Sequence, residues 1–393
     1  MMALEGVRVL DFSQMMMGPW ATQFLGDMGA EIIKIERPKV GEWERGLAIM
    51  GELLAGESAC FYAMNRNKKS VAVNLKDPRG KEIVYKLAAT CDLSVENYRP
   101  GVLDRLGLGY EDLKKVNPGI VYVSGTGYGP DGPYETRPGQ DLLLQSLSGL
   151  AANGGRYDDP PMPSGTSVVD ASTALVLAFS AMVGLFHKQR TGQGQRIDVN
   201  LFSTAIALQC QELAAYLNQT RRFERSRSGV GAAWLSAPFG IYQTHDGHMA
   251  IAMASLSMLA ELLELPELKQ YDEGIRPYED RDTIKPIIQT KIVTNTTEHW
   301  LALLATCDVW CAKVQDFDDL MDDPQVKHNE LIQTLHHPRA GEVRVIGVPM
   351  RFSETPGTIR LAPPLVGEHT DEVLKSLGYT QPEINQLRAE QVV

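Results

Sequence analysis

Residues 7–35 read VRVLDFSQMMMGPWATQFLGDMGAEIIKI. Val7 to Phe12 alternates apolar residues in a β-branched context and predicts a strand. Gly18 to Met28 predicts a helix, and Glu31 to Ile35 a second strand. Strand, helix and strand within so short a span form a βαβ unit. The same rhythm continues outward. Strands are expected at Ser70–Leu75, Leu93–Glu96, Ile120–Ser124 and Arg196–Leu201. Helices are expected between them, at Pro78–Ala89, near Pro100–Leu106, at Tyr110–Val116 and at Ala171–Lys188. Such alternation predicts a parallel, doubly wound α/β sheet. The turn after the first strand is Ser13 to Pro19 (SQMMMGP). It lacks the G-x-G-x-x-G spacing, so a nicotinamide or flavin dinucleotide is poorly supported, and no Walker A loop occurs. Met15, Met16 and Met17 suit either an adaptable apolar slot for a flexible ligand or ordinary local packing.

The chain has 393 residues, 44% hydrophobic and 22% charged, which is ordinary for a globular protein with two domains. Its net charge of −11 argues against nucleic acid or an anionic membrane as partner. The apolar run Ala174–Phe186 is interrupted by Ser180 and Gly184 and reads as too short to span a bilayer. No secretory signal is evident, and five scattered cysteines fit reduced thiols in the cytoplasm. Cys307 and Cys311 lack the second pair of ligands a zinc site needs, so no metal is expected.

Asp170 heads the apolar helix that follows Val168 and Val169. Two readings stand: a helix N-cap, or a carboxylate kept ionised by the helix terminus and aimed into a site. The basic run Asn65–Lys69 (NRNKK) with Lys76 reads either as a phosphate-binding patch or as a solvated loop. Arg37, Arg99 and Arg105 each fall just past a strand or in the following turn, where parallel sheets bind ligands. Gly125 to Gly139 is loop chemistry, and Gln140 and Asp141 open the next helix. None of the eight histidines sits in a metal motif, and no G-x-S-x-G elbow occurs. Composition turns polar at Asn218, and Phe239–Ala252 predicts a hairpin followed by amphipathic helices. The expected organisation is a large Rossmann-like domain over 1–217 completed by 326–393, a linker at 218–227, and a smaller α+β domain over 228–325.

Several ordered blocks together resemble the class III CoA-transferases, whose fold the alpha-methylacyl-CoA racemases share. They are LEGVRVLDFSQMMMGP, GAEIIKIERP, NRNKKSVAVNLKDPRGKE, VENYRPGVLDRLGLGYEDL, TGYGPDGPY, SVVDASTA, RTGQGQRIDV and PLVGEHTDEVLKSLG. The resemblance implies an interlocked homodimer and a nucleophilic carboxylate at Asp170. It implies coenzyme A esters as substrates, with no cofactor permanently bound. It also implies CoA contacts at Met15, Met16, Met17, Arg37, Val73, Lys76, Asn97, Tyr98 and Arg105. Gln140, Asp141, Gly229 and Gly231 fall where the family builds its active-site wall. Two departures matter. Formyl-CoA transferase has a glutamine where Met16 stands, and a run of consecutive glycines where this chain has only Gly229 and Gly231. Both disfavour formate and oxalate. The racemases carry a histidine where Gln140 stands, and an amide cannot move a proton near neutral pH. The expected function is therefore transfer of CoA from an acyl-CoA to a free carboxylic acid. A racemase and a non-catalytic acyl-CoA binder are the alternatives.

Overall fold

A computed structural model describes residues 1–393. Six strands form one sheet: β1 (Arg8–Asp11), β2 (Glu31–Glu36), β3 (Lys68–Ala72), β4 (Leu93–Glu96), β5 (Val121–Thr126) and β6 (Arg196–Asn200). Their order is β3-β2-β1-β4-β5-β6, and every pairing is parallel. The chain winds one way from β1 to β3 and the other way from β4 to β6. A crevice therefore opens past the carboxyl ends of β1 and β4. Leu10, Ile33 and Val71 from the strands and Val73, just past β3, pack with Ile83 and Leu87 of the helix Pro78–Ala88. The C-terminal helices Thr370–Ser376 and Gln381–Ala389 add Val373, Leu374, Ile384 and Leu387 to that core.

Residues Met1–Leu144, Ser167–Thr204 and Pro324–Val393 form one compact unit, which holds this sheet and an antiparallel hairpin, β10 (Ile332–His337) with β11 (Gly341–Ile346). Residues Gln145–Thr166 and Ala205–Asp323 form the other. Within it, β7 (Gly240–Gln243), β8 (His248–Ile251) and β9 (Cys311–Lys313) make a three-stranded antiparallel sheet. Tyr242, Met249, Leu259, Ile284, Ile288 and Trp300 fill its core.

Two sequence expectations change. The basic run 65–69 is neither a phosphate patch nor a solvated loop. Arg66 is buried and pairs with Asp27 at 2.6 Å, and Lys68 is buried and pairs with Asp11 at 3.2 Å. Lys69 bridges Glu31 and Glu372. Buried charges stay charged only when paired, and these acids supply the partners. The second change concerns the apolar helix. It runs from Val168 to Thr191, 24 residues, three residues beyond the expected Ala171–Lys188 at each end. By length and composition alone it could cross a membrane. It is not a wholly buried helix either. Gly184 presses on Val121 and Ile197, where a Cβ would fall 2.5 Å from Val121 Cγ1. Leu175, Phe179, Val183 and Phe186 face outward, Phe179 at 70% exposure.

Candidate active site

The turn after β1 is built by buried charge. Lys34 sits wholly buried, with its Nζ 3.0 Å from Glu42 Oε1 and donating to the Ser13 carbonyl at 2.8 Å. Burial opposes its charge, but Glu42 and Asp11 outweigh that and hold the ammonium above its usual range. Glu42 in turn accepts from the Met15 N–H at 2.8 Å, fixing Met15 at a positive φ of 64°. Asn97, just past β4, exchanges two 2.8 Å hydrogen bonds with the Gln14 backbone. Acids and bases from β1, β2 and the following loops thus lock one irregular turn in place.

A cavity of about 230 Å³ lies against this turn. Gln14, Met15, Met16, Met17, Asn97, Tyr98, Gln140 and Asp170 line it, so the methionines are a wall as well as packing. Arg99, Pro100, Gly125–Gly127, Glu135, Arg137, Gly139 and Leu201 complete the lining. Gly127 and Gly139 meet backbone to backbone; a Cβ on Gly127 would fall 2.7 Å from Gly139 Cα. Any side chain there would push apart the two ends of the loop that carries Glu135 and Arg137. A second cavity, about 510 Å³, is lined by Gln14, Met15, Arg37, Trp43 and Tyr98.

Asp170 occupies the first turn of the helix Val168–Thr191, and Ser167, not Asp170, is its N-cap residue. The capping oxygen comes from elsewhere. Asp141, 3% exposed, accepts from the backbone N–H of Val169 at 2.8 Å and of Asp170 at 3.0 Å through one oxygen. This capping from a distant segment lets the helix begin at Val168 instead of Ala171. It also reverses the expected electrostatics. The helix terminus alone would favour an ionised Asp170. Instead, burial and then the charge of Asp141 push its carboxyl up to about 7. Nearby Glu44 is pushed up to about 8 by burial and by Glu42.

The remaining expected CoA residues are dispersed. Val73 is wholly buried in the core, so its side chain cannot touch a ligand, and its N–H is bonded to the Glu36 carbonyl. Lys76 and Arg105 are exposed and line neither cavity. Asp141 lies behind the wall and does not line it. Gly229 and Gly231 belong to the other unit. Arg137 was missed by sequence reading. The available signal was its place in the loop that leaves the carboxyl end of β5.

A family model described as CoA-transferase family III matches residues 4–370. The succinyl-CoA:glutarate CoA-transferase of Mus musculus is 37% identical over 401 residues, covering 100% of this chain and 91% of that protein. The formyl-CoA:oxalate CoA-transferase of Rhodopseudomonas palustris (strain BisA53) is 30% identical, covering 98% of this chain and 96% of that one. The crystal structure of a CAIB/BAIF family protein from Brucella suis matches with a TM-score of 0.81 at 27% identity, over 96% of this chain and 99% of that chain. With sequence and fold matched almost end to end, this chain belongs to CoA-transferase family III, and it is an enzyme that works on acyl-CoA thioesters.

Proposed function

We propose that Asp170 is the nucleophile and that the transfer runs through covalent intermediates on its carboxylate. The observation that carries this reading is a half-buried carboxylate in a cavity wall, pushed up to about 7 by desolvation and by the charge of Asp141. Such a group is ionised in part at neutral pH yet more basic than an ordinary aspartate. Asp170 attacks the donor thioester carbonyl, giving a mixed anhydride and CoA thiolate. The thiolate attacks the aspartyl carbonyl, giving an aspartyl-CoA thioester and releasing the donor acid. The acceptor carboxylate then attacks the same carbonyl and expels the thiolate. The thiolate finally takes the acceptor acyl group and frees Asp170. No step needs a proton donor, which suits a site walled by Gln140 instead of a histidine. The N–H groups of Val169 and Asp170 are committed to Asp141. Oxyanion donors must therefore come from other backbone groups, with the glycine loops as candidates.

We assign the CoA moiety to the methionine turn, Asn97, Tyr98 and Arg37, with Lys76 and Arg105 as outer phosphate contacts. A dicarboxylic pair of acids, with succinyl-CoA as donor and a five-carbon diacid as acceptor, is favoured by the 37% identical relative. A cytoplasmic setting fits the free cysteines, of which Cys210 and Cys307 are exposed. The deciding experiment is a screen of acyl-CoA donors against carboxylic acids, read by mass spectrometry. Exchange is expected between succinyl-CoA and glutarate. Deuterium uptake at C2 of a 2-methylacyl-CoA in heavy water, without exchange, would instead favour the racemase.

An interlocked homodimer is supported by the outward row Leu175, Phe179, Val183 and Phe186, an apolar stripe too long for a helix facing water. Sedimentation velocity should show twice the chain mass of 43.4 kDa. Phe179→Arg should lower that mass or leave aggregated chain, and wild-type protein sedimenting as a single chain would count against the dimer.

A further inference from the structure

We infer that Glu96 is a positioning residue for the acyl-CoA substrate: its buried carboxylate ties the Asn97–Tyr98 turn to β5 and so presets the wall on which the CoA moiety rests. The inference rests on the placement of CoA at this turn proposed above, and its test separates the two.

The pairing of β4 with β5 ends at Glu96, opposite Ser124. The next residues, Asn97 and Tyr98, line the cavity that Asp170 also lines, and Tyr98 reaches the larger cavity beside Arg37. Past the end of the ladder, side chains hold this turn. The Asn97 amide exchanges two 2.8 Å bonds with the Gln14 backbone, which ties it to the methionine turn. Glu96 supplies the other tie. Its Oε2 accepts from the Tyr98 N–H at 2.8 Å, and its Oε1 accepts from the Ser124 hydroxyl. One carboxylate thus joins the turn to β5. Glu96 is 7% exposed and lines neither ligand-sized cavity, so it acts on a ligand only through the turn. With Asp104, Ser124 and Arg196 it lines a void of about 10 Å³, too small for anything larger than a water.

The groups facing Glu96 suit that role. Burial pushes its carboxyl up to about 7 against the opposing pull of the Ser124 hydroxyl, the Tyr98 N–H and Arg196, and Asp104 adds to the rise. The two hydrogen bonds therefore favour the ionised form, and bonds to an ionised acceptor are stronger than neutral ones. Arg196 is engaged with Asp198 at 2.9 Å, which leaves the Glu96 oxygens to the turn and to β5. A glutamine at 96 could make both bonds, accepting from the Tyr98 N–H and donating to Ser124 Oγ, whereas an alanine could make neither. A part-buried N–H left without its acceptor is costly, and the turn would shift to find another.

The test measures Kd for free coenzyme A by calorimetry in full-length wild type, Glu96→Ala, Glu96→Gln, Ser124→Ala and Asn97→Ala. KM values for succinyl-CoA and glutarate are taken alongside. Glu96→Ala should weaken coenzyme A binding and raise the KM for succinyl-CoA about tenfold to a hundredfold, with the KM for glutarate unchanged. Glu96→Gln should bind within about threefold of wild type. Binding by Glu96→Ala as tight as wild type overturns the inference. So does a glutamine that restores nothing, or a KM for glutarate that rises as much as that for succinyl-CoA, since a general loosening of the core would give either. Should Glu96→Ala fail to fold, Ser124→Ala decides: coenzyme A binding about threefold to tenfold weaker upholds the tie, and an unchanged Kd overturns it. Normal coenzyme A binding by Asn97→Ala removes CoA from this turn and the inference with it. Weakened binding by Asn97→Ala beside normal binding by Glu96→Ala keeps CoA at the turn and overturns the role of Glu96 alone.

Discussion

Asp170→Ala should cut kcat for CoA transfer by about 10,000-fold or more, the scale seen when a covalent nucleophile is deleted. The change removes a partly buried carboxyl that accepts no hydrogen bond from the protein and repels Asp141, so the fold should survive it. Titration with acyl-CoA should show the ester still bound, because the methionine turn, Asn97 and Tyr98 are untouched. The covalent route has its own signature. Hydroxylamine added to wild type together with succinyl-CoA should inactivate it, leaving a hydroxamate on the peptide that carries Asp170. Hydroxylamine without the ester should leave it active, since a free carboxylate does not react. Normal turnover by Asp170→Ala would sink the mechanism.

How far the sequence carried these conclusions depended on how local each signal was. Residues 7–35 announced a βαβ unit because periodicity acts over a few residues, and the observed parallel pairing of Leu10 with Ile33 follows from it. The basic run 65–69 misled for the opposite reason. Its partners Asp11, Asp27, Glu31 and Glu372 come from four distant segments, and nothing in NRNKK tells a buried ion pair from a phosphate patch. The apolar helix was visible as a helix, but which face meets the sheet depends on Gly184 finding Val121 and Ile197. Asp170 was visible as a candidate, but what raises its carboxyl was not: its burial comes first and then Asp141, which lies 29 residues away and approaches only through the fold.

That oxygen sets the second large effect. Asp141→Asn keeps an amide oxygen that can still accept from the N–H groups of Val169 and Asp170, but loses the negative charge. Because that charge disfavours ionised Asp170, its loss should lower the Asp170 pKa from about 7 toward the ordinary carboxylate range. The acid limb of kcat/KM, which reports ionisation of the nucleophile in the free enzyme, should then move to lower pH. The other charged groups lining the cavity, Glu135, Arg99 and Arg137, and nearby Glu44 are the same in both proteins, so the displacement isolates Asp141. Asp141→Ala goes further. It frees two helix N–H groups, which can then bond to the Asp170 carboxylate itself and turn it from the substrate. Misplacing a nucleophile by about 1 Å costs on the order of a hundredfold, and kcat/KM should fall by about that much well above the acid limb. Asn at 141 should restore most of this loss while keeping its shifted profile. If Asp141 were only a helix cap, Asn would restore activity with the acid limb unmoved. An acid limb for Asp141→Asn that coincides with the wild-type limb would therefore leave burial alone as the cause of the raised pKa and remove Asp141 from the tuning of the nucleophile.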